Sequence, residues 1–467
     1  MEVNTLEFED NAHVALENPA LQSALAKIKT GWVANRARAA DRLPEFETLR
    51  DQGRDIKNHA LAHLDLYLQA FEAKVTERGG TVHWARDAAE ARAVILELCQ
   101  AGGAGSVTKS KSMVTEEIGL TAFLESHGLD PIETDLGEYI LQISGQPPSH
   151  IVGPVVHMTQ DEISDLFARH HGGPRLEEAS DLVAEARRIL RQRYLSADVG
   201  ITGANFLIAE TGSAITVTNE GNAELTQGLP RTHIVVATLE KVVPTVEDAL
   251  TLLRLLARSA TGQEFSTYTT VMTGPKRPGD LDGPENFHVV LLDNGRTQML
   301  GNDLREMLRC IRCGACMNHC PVYLATGGHA YGWVYPGPMG SVLTPQLVGI
   351  EQGWPLPNAS TFCGRCEQVC PVRIPLPKLM RHWRTEQFGR GLAPPAARWG
   401  LGIWGWFAKR PALYRAASRL AAFGLRLLGR GGRVRWAPLA RGWTDTRDLP
   451  APQGGTFMSQ WRARGRR

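Results

Sequence analysis

Seven of the eight cysteines fall into two runs, Cys310-x2-Cys313-x2-Cys316-x3-Cys320-Pro321 and Cys363-x2-Cys366-x3-Cys370-Pro371. Thiolate sulfur is a soft ligand suited to iron in a sulfide cage, and a C-x2-C-x2-C turn wraps three sulfurs around one corner of a cubane. In two-cluster ferredoxins the fourth cysteine of each run, the one before proline, ligates the other cluster. On that rule Cys310, Cys313, Cys316 and Cys370 hold cluster 1, while Cys320, Cys363 and Cys366 hold cluster 2. The chemistry such clusters supply is electron transfer.

The second run is one thiolate short, because the residue three before Cys363 is Ser360. Cluster 2 is then a 3Fe-4S cluster, or a 4Fe-4S cluster whose last iron takes Ser360, water or a substrate atom. A serine hydroxyl ionises reluctantly, which counts against Ser360 itself. Structural zinc uses four ligands from two C-x2-C pairs and does not ask for Cys-Pro endings, so zinc fits less well, and disulfides less still. Cys99, alone in an apolar helical stretch, reads as a small buried hydrophobe.

Two further constellations lie upstream. Lys109, Ser110, Lys111 and Ser112 stand at a strand end before a helix that begins near Thr115. Cations, hydroxyls and free helix-start amides are what an anionic ligand needs, although a solvated loop would look the same. The segments Gly200 to Ser213 and Thr218 to Asn222 gather glycines and polar groups around two short apolar strands. There Asn205 is a ligand candidate and Glu210, where a strand meets a turn, is a candidate general acid or base; turn chemistry is the bland alternative. His233, Lys241, His288 and the turn Asp293-Asn-Gly-Arg296 are additional candidates to complete the site.

The elements that must position these residues follow from pattern. The 467 residues, 43% hydrophobic and 21% charged, suffice for two or three domains with full cores. A net charge of +2 hides an asymmetry: from Gly391 onward fifteen Lys or Arg face two acids, a local +13 that leaves 2 − 13 = −11 for the rest. Residues 1–59 read as a polar helical region without an interpretable motif. Over residues 60–300, strands at Thr81 to Ala85, Ser106 to Thr108, Ile151 to His157, Phe206 to Ala209, Ile215 to Thr218, His233 to Thr238 and His288 to Leu292 alternate with helices at Asp55 to Thr76, Asp87 to Cys99 and Thr245 to Arg258. That alternation predicts an α/β domain. Thr159 and Glu162 have capping-box spacing ahead of another helix.

Residues 301–390 carry the cysteines, and the 42 residues between Cys320 and Cys363 hold one expected helix, Ser341 to Gln352. So wide a gap fits the mainly helical ferredoxin module of electron-transfer subunits better than a compact bacterial ferredoxin. Residues 391–467 form a basic tail with six of the eleven tryptophans, in which Pro411 should break any long helix. Docking to a partner protein is the favoured use of the tail; peripheral contact with an anionic membrane ranks behind it, and nucleic acid is not expected. An acidic start without an apolar core and thiols that must stay reduced predict the cytoplasm.

Taken together, Thr108 to Glu117, Gly200 to Ser213, Val217 to Gly221, Leu292 to Arg296 and both cysteine runs resemble the lactate utilisation protein B family over nearly the whole chain. The resemblance implies that residues 60–300 adopt the domain shared by lactate utilisation proteins, whose fold resembles sugar-phosphate isomerases and CoA transferases. It implies an iron–sulfur subunit of a cytoplasmic complex that oxidises L-lactate to pyruvate beside two other subunits, one rich in cysteine and one sharing the α/β domain. A seven-cysteine ligand set matches the family, so Ser360 is no local defect, and no catalytic base is implied. A docking or redox-sensing scaffold and a glycolate-type dehydrogenase subunit are the alternatives. No Gly-x-Gly-x-x-Gly links a strand to a helix, which points the hydride step toward a partner.

Overall fold

Alternate side chains along two central strands face opposite ways, and helices cover both faces. In the computed structural model, which describes residues 2–437, 441–444, 447–453 and 455–464, ten strands belong to the α/β region. They are β1 (Thr81–Ala85), β2 (Ser106–Lys109), β3 (Asp130–Glu133), β4 (Val199–Gly203), β5 (Phe206–Ile208), β6 (Ser213–Thr218), β7 (Thr232–Thr238), β8 (Val242–Val243), β9 (Tyr268–Met272) and β10 (Asn286–Leu292). Six form a wholly parallel sheet in the order β1-β10-β7-β4-β2-β3. Ile234, Val236, Val290 and Leu292 face one core with Ile95, Cys99 and Leu120; Val235, Ala237, Val289 and Leu291 face another with Leu68, Phe71 and Val75. Burial on both faces is what a parallel sheet requires. A second sheet, β8-β5-β6-β9, stands beside it.

The helix Ala88–Ala101 starts where Asp87 accepts from the amides of Ala89 and Glu90, and the capping box of Thr159 and Glu162 opens Gln160–His171. Ile151 to His157 is not a strand. Gly153-Pro154 breaks the ladder, and the His150 ring accepts from the amides of Val152 and Gly153, which folds the segment into turns. The expected helix over Asp55 to Thr76 is two, Phe46–Ala62 and Leu64–Glu77, and that over Ser341 to Gln352 is Gly337–Leu347 followed by Ile350–Gly353.

Chain contacts divide the protein into two units, Met1–Gln387 and Phe388–Arg467. Within the first, the N-terminal region clamps the cysteine module. Asn4 N donates to Gly332 O at 2.8 Å, Gln22 Nε2 to Ala325 O at 2.7 Å, and Arg36 Nη2 to Val369 O at 3.0 Å. Arg50, almost fully buried, donates to the carbonyls of Cys370 and Gln368. In the second unit Pro395–Ala408 ends before Pro411, which opens Pro411–Leu428; neither helix buries a residue, and Trp399, Trp404, Leu420 and Phe423 are exposed. Among the described residues no helix is long and apolar enough to cross a membrane.

Candidate functional site

Both cysteine runs fold into the same device. Arg312 and Phe362, each just before a Cys-Gly pair, have φ of 61° and 54°, and the glycines that follow, Gly314 and Gly364, have φ of 75° and 79°. A one-turn helix succeeds each loop, Ala315–Asn318 and Arg365–Val369. A left-handed non-glycine residue costs about 1–2 kcal/mol, so each is held by its side chain. The Arg312 guanidinium lies 5.2 Å from the Tyr335 ring, and the Phe362 ring has Arg384 at 4.1 Å and Arg381 at 5.4 Å. In this repeat Ser360 occupies the place of Cys310. Its hydroxyl accepts from Phe362 N at 3.1 Å.

The structure brings Cys310, Cys313, Cys316 and Cys370 together around one small apolar-walled cavity with Ile151, Met339 and Val372. Cys320, Cys363 and Cys366 form a second neighbourhood: Cys363 acts on Cys320, and both act on Cys366. Burial, followed by neighbouring thiolates, pushes Cys313 up to about 12; burial likewise brings Cys366 to about 12 and Cys370 to about 11. Bare thiolates are therefore disfavoured here, and a cationic iron–sulfide core would remove that penalty. Among the described residues no three His, Cys, Asp or Glu converge tightly enough for a single metal ion. Four thiols around one space suit a multi-atom cluster. Cys313, Cys366 and Cys370 are buried, whereas Cys363, in the second group, is exposed.

A buried brace joins the α/β sheet to this module. Arg296, in the turn after β10, grips both oxygens of Glu117 at 2.9 and 2.6 Å. Tyr335 donates to the same carboxylate at 2.6 Å, as does Asn294. Burial alone would raise the Glu117 carboxyl, but the Arg296 charge and these hydrogen bonds hold it below the usual carboxylate range. Glu240, also buried, lies 3.3 Å from Arg296 and 3.4 Å from Arg312.

Beside the brace, at the carboxyl ends of β2 and β4, opens a cavity of about 230 Å³. Open parallel sheets place ligands there. Lys111 and Asn205 line it, with Ser110, Ser112, Asn222, Lys241, Arg312, Tyr335 and Cys313. Lys111 donates to Val152 O, and Asn205 Oδ1 accepts from Val217 N at 3.0 Å.

Several sequence candidates lie outside the cavity. Lys109 turns the other way and is fully buried, 2.7 Å from Glu133 and 3.0 Å from Glu116. Glu210 is exposed, and its carboxylate accepts from Val246 N at the start of Val246–Ala260. Neither His233, bonded to Thr202, nor His288, bonded to His83, reaches the cavity; Lys241 does. Glycine also serves packing rather than ligand approach at Gly200, where a Cβ would stand 1.8 Å from Thr226 O. Sequence reasoning gave no role to Arg312, Tyr335, Glu117 or Glu240. A charged residue inside Cys310-x2-Cys313 was the available signal for Arg312.

Residues 68–292 match the LUD domain family and residues 306–374 the 4Fe-4S dicluster domain family. The chain is 43% identical over 468 residues to lactate utilization protein B of Anoxybacillus flavithermus, covering 100% of this chain and 99% of that one. It is 41% identical over 465 residues to the uncharacterized electron transport protein YkgF of Escherichia coli K12, covering 98% and 97%. Among solved structures, a DUF162 family protein from Deinococcus radiodurans aligns at 17% identity over 49% of this chain and 98% of that one, with a TM-score of 0.26, too low to bear on the fold. With relatives matched end to end and both domain families present in order, the chain belongs to the lactate utilization protein B family.

Proposed function

We propose that this chain is the iron–sulfur electron-transfer subunit of a multi-protein system that oxidises L-lactate to pyruvate. One observation carries the reading: Cys313 lines both the thiol-walled space and the cavity at the sheet's carboxyl edge. A small acid seated in that cavity lies next to a ligand sulfur. Oxidation of a 2-hydroxy acid releases two electrons and two protons, and iron–sulfur clusters, when bound, accept electrons one at a time.

In this reading Cys310, Cys313, Cys316 and Cys370 hold a 4Fe-4S cluster. Cys320, Cys363 and Cys366 hold a second cluster, 4Fe-4S with a non-cysteine fourth ligand or 3Fe-4S. Cys363 is exposed, and in this reading electrons leave there for two partner subunits. The basic second unit serves as their docking element. Support comes from the family relationship and from the dicluster match over residues 306–374.

The test is L-lactate-dependent pyruvate formation by the anaerobically assembled complex. Cys313→Ala should reduce it to background while assembly persists; full turnover in that variant would remove the clusters from the reaction. Truncation after Gly391 should abolish assembly and spare the iron content. A redox-sensing scaffold is the second reading, favoured by the exposure of Cys363 and the missing thiolate at Ser360. It requires iron to leave the second site in air without any lactate turnover.

A further inference from the structure

The inner end of the cavity holds buried polar groups that have no protein partner. Ser110 is 2% exposed and its hydroxyl makes no hydrogen bond, and Asn222 is 4% exposed with both its amide nitrogen and oxygen unpaired. Leaving such atoms unsatisfied costs about 1–3 kcal/mol each, so a site this well enclosed implies a polar occupant. Lys241 is 7% exposed and lines the cavity, with Glu240 the carboxylate whose charge reaches its ammonium. Arg312 adds a second cation to the same wall.

One buried acid behind the wall, Glu240, lies 3.4 Å from Arg312 and acts on Lys241 as well, but it is shared with Arg296 and so offsets only part of this charge; the acids in the lining offset none of it. Asp135 is occupied in capping Leu136–Ser144 through the amides of Gly137 and Glu138. Glu220 is exposed at the outer end with Asn219 and Gln263. The inner wall therefore presents cations, a hydroxyl and a carboxamide to whatever enters.

We propose that this inner end is the binding site for a small 2-oxygenated monocarboxylate, with Lys241 and Arg312 taking the carboxylate and Ser110 and Asn222 taking the neighbouring hydroxyl or carbonyl oxygen. The assignment rests on the electron-transfer reading for the choice of acid, but it concerns binding alone. Cations and carboxylate form charge-assisted contacts, and the amide and hydroxyl can each donate or accept, so both the alcohol and the ketone are accommodated. A carboxylic acid without the second oxygen would leave Ser110 and Asn222 unpaired. The competing role for Lys241 is to offset the negative charge of thiolates nearby, since Cys310 is among the groups whose charge it feels.

Calorimetric titration of the anaerobic, cluster-loaded full-length chain with L-lactate, pyruvate and acetate separates these. The site predicts that L-lactate and pyruvate bind more tightly than acetate. Lys241→Gln should weaken L-lactate roughly thirtyfold or more, the loss expected when one partner of a buried charge contact is removed. Ser110→Ala should bring L-lactate close to acetate. Asn222→Asp, which adds a repelling carboxylate without removing volume, should weaken all three acids and guards against a folding defect in the lysine variant; circular dichroism and iron content establish that each variant is intact.

A Lys241→Gln protein whose cluster potential moves while its L-lactate affinity stays unchanged overturns the site and assigns the lysine to the cluster. Absence of binding to the unaltered chain at tens of millimolar overturns it as well. Lys241-dependent binding together with full turnover in Cys313→Ala would instead leave the site standing and remove the electron-transfer reading.

Discussion

Glu117→Gln would replace a carboxylate with its closest neutral shape at a point where four donors meet. Two Arg296 nitrogens, the Tyr335 hydroxyl and the Asn294 amide all address its two oxygens at 2.6–2.9 Å, and both Glu117 and Arg296 side chains are essentially sealed from solvent. The glutamine keeps one acceptor oxygen, but its amino group turns a donor toward donors. Removing one partner of a buried pair costs about 3–5 kcal/mol because the remaining charge is stranded. Arg296 retains Glu240 at 3.3 Å, so the loss belongs near the lower end, about 3 kcal/mol.

Tyr335→Phe removes only one hydrogen bond to a charged acceptor, about 1.5–3 kcal/mol. The double variant should fall short of the sum, since both changes act on one carboxylate. The assay is urea unfolding of cluster-loaded protein, followed in parallel by far-ultraviolet circular dichroism and by the visible absorption of the clusters. Arg296 and Glu117 belong to the α/β region and Tyr335 to the cysteine module, so both signals should move to lower urea together. A loss under about 1 kcal/mol, or a shift of only one signal, would refute the brace.

Acid should destabilise the fold before its carboxylates protonate. His150 and His233 are buried and pushed by burial to about 3, below the ordinary 6.5, so as pH falls the unfolded chain takes up protons first and stability is lost between the two values. At pH 5 each contributes a loss of roughly 2 kcal/mol, visible as a falling urea midpoint; a flat midpoint from pH 7 to 5 contradicts it. Lys109→Met should cost about 3–5 kcal/mol by stranding Glu133 and Glu116, yet leave L-lactate affinity within twofold; a large affinity loss in folded protein would return Lys109 to the site. Ser360→Cys supplies a thiol at the position equivalent to Cys310, so iron should leave the second cluster more slowly under chelator challenge, and an unchanged rate argues against that equivalence.

How much was legible beforehand depends on whether a residue's role is local. The cysteine runs are a local code, since spacing along one loop fixes which sulfurs can face a common centre. The strands His233 to Thr238 and His288 to Leu292 were readable because unbroken apolar runs signal strands buried on both faces. β3 was not, because Asp-Pro-Ile-Glu looks like a turn; its proline is tolerated at the sheet edge, where β3 pairs only with β2. β4 was hidden by two glycines, one of them required by the close approach of Thr226 O. Lys109 and Lys111 are two residues apart and end on opposite sides of the strand end, a division that depends on β3 and its Glu133. The partnership of Glu117, Arg296 and Tyr335 spans 218 residues and left no trace in any single window. The clamp by Arg36 and Arg50 was equally silent, because arginines spaced along a polar helix look solvated until the surface they meet is known.

In the proposed reaction, electrons from a 2-hydroxy acid enter this chain at the cluster that Cys310, Cys313, Cys316 and Cys370 would hold beside the cavity. Low-temperature electron paramagnetic resonance of the anaerobic complex, recorded before and after L-lactate, tests it most directly. Reduced-cluster signals should appear with L-lactate and be missing from the Cys313→Ala complex. A spectrum that L-lactate leaves unchanged while pyruvate accumulates would contradict it.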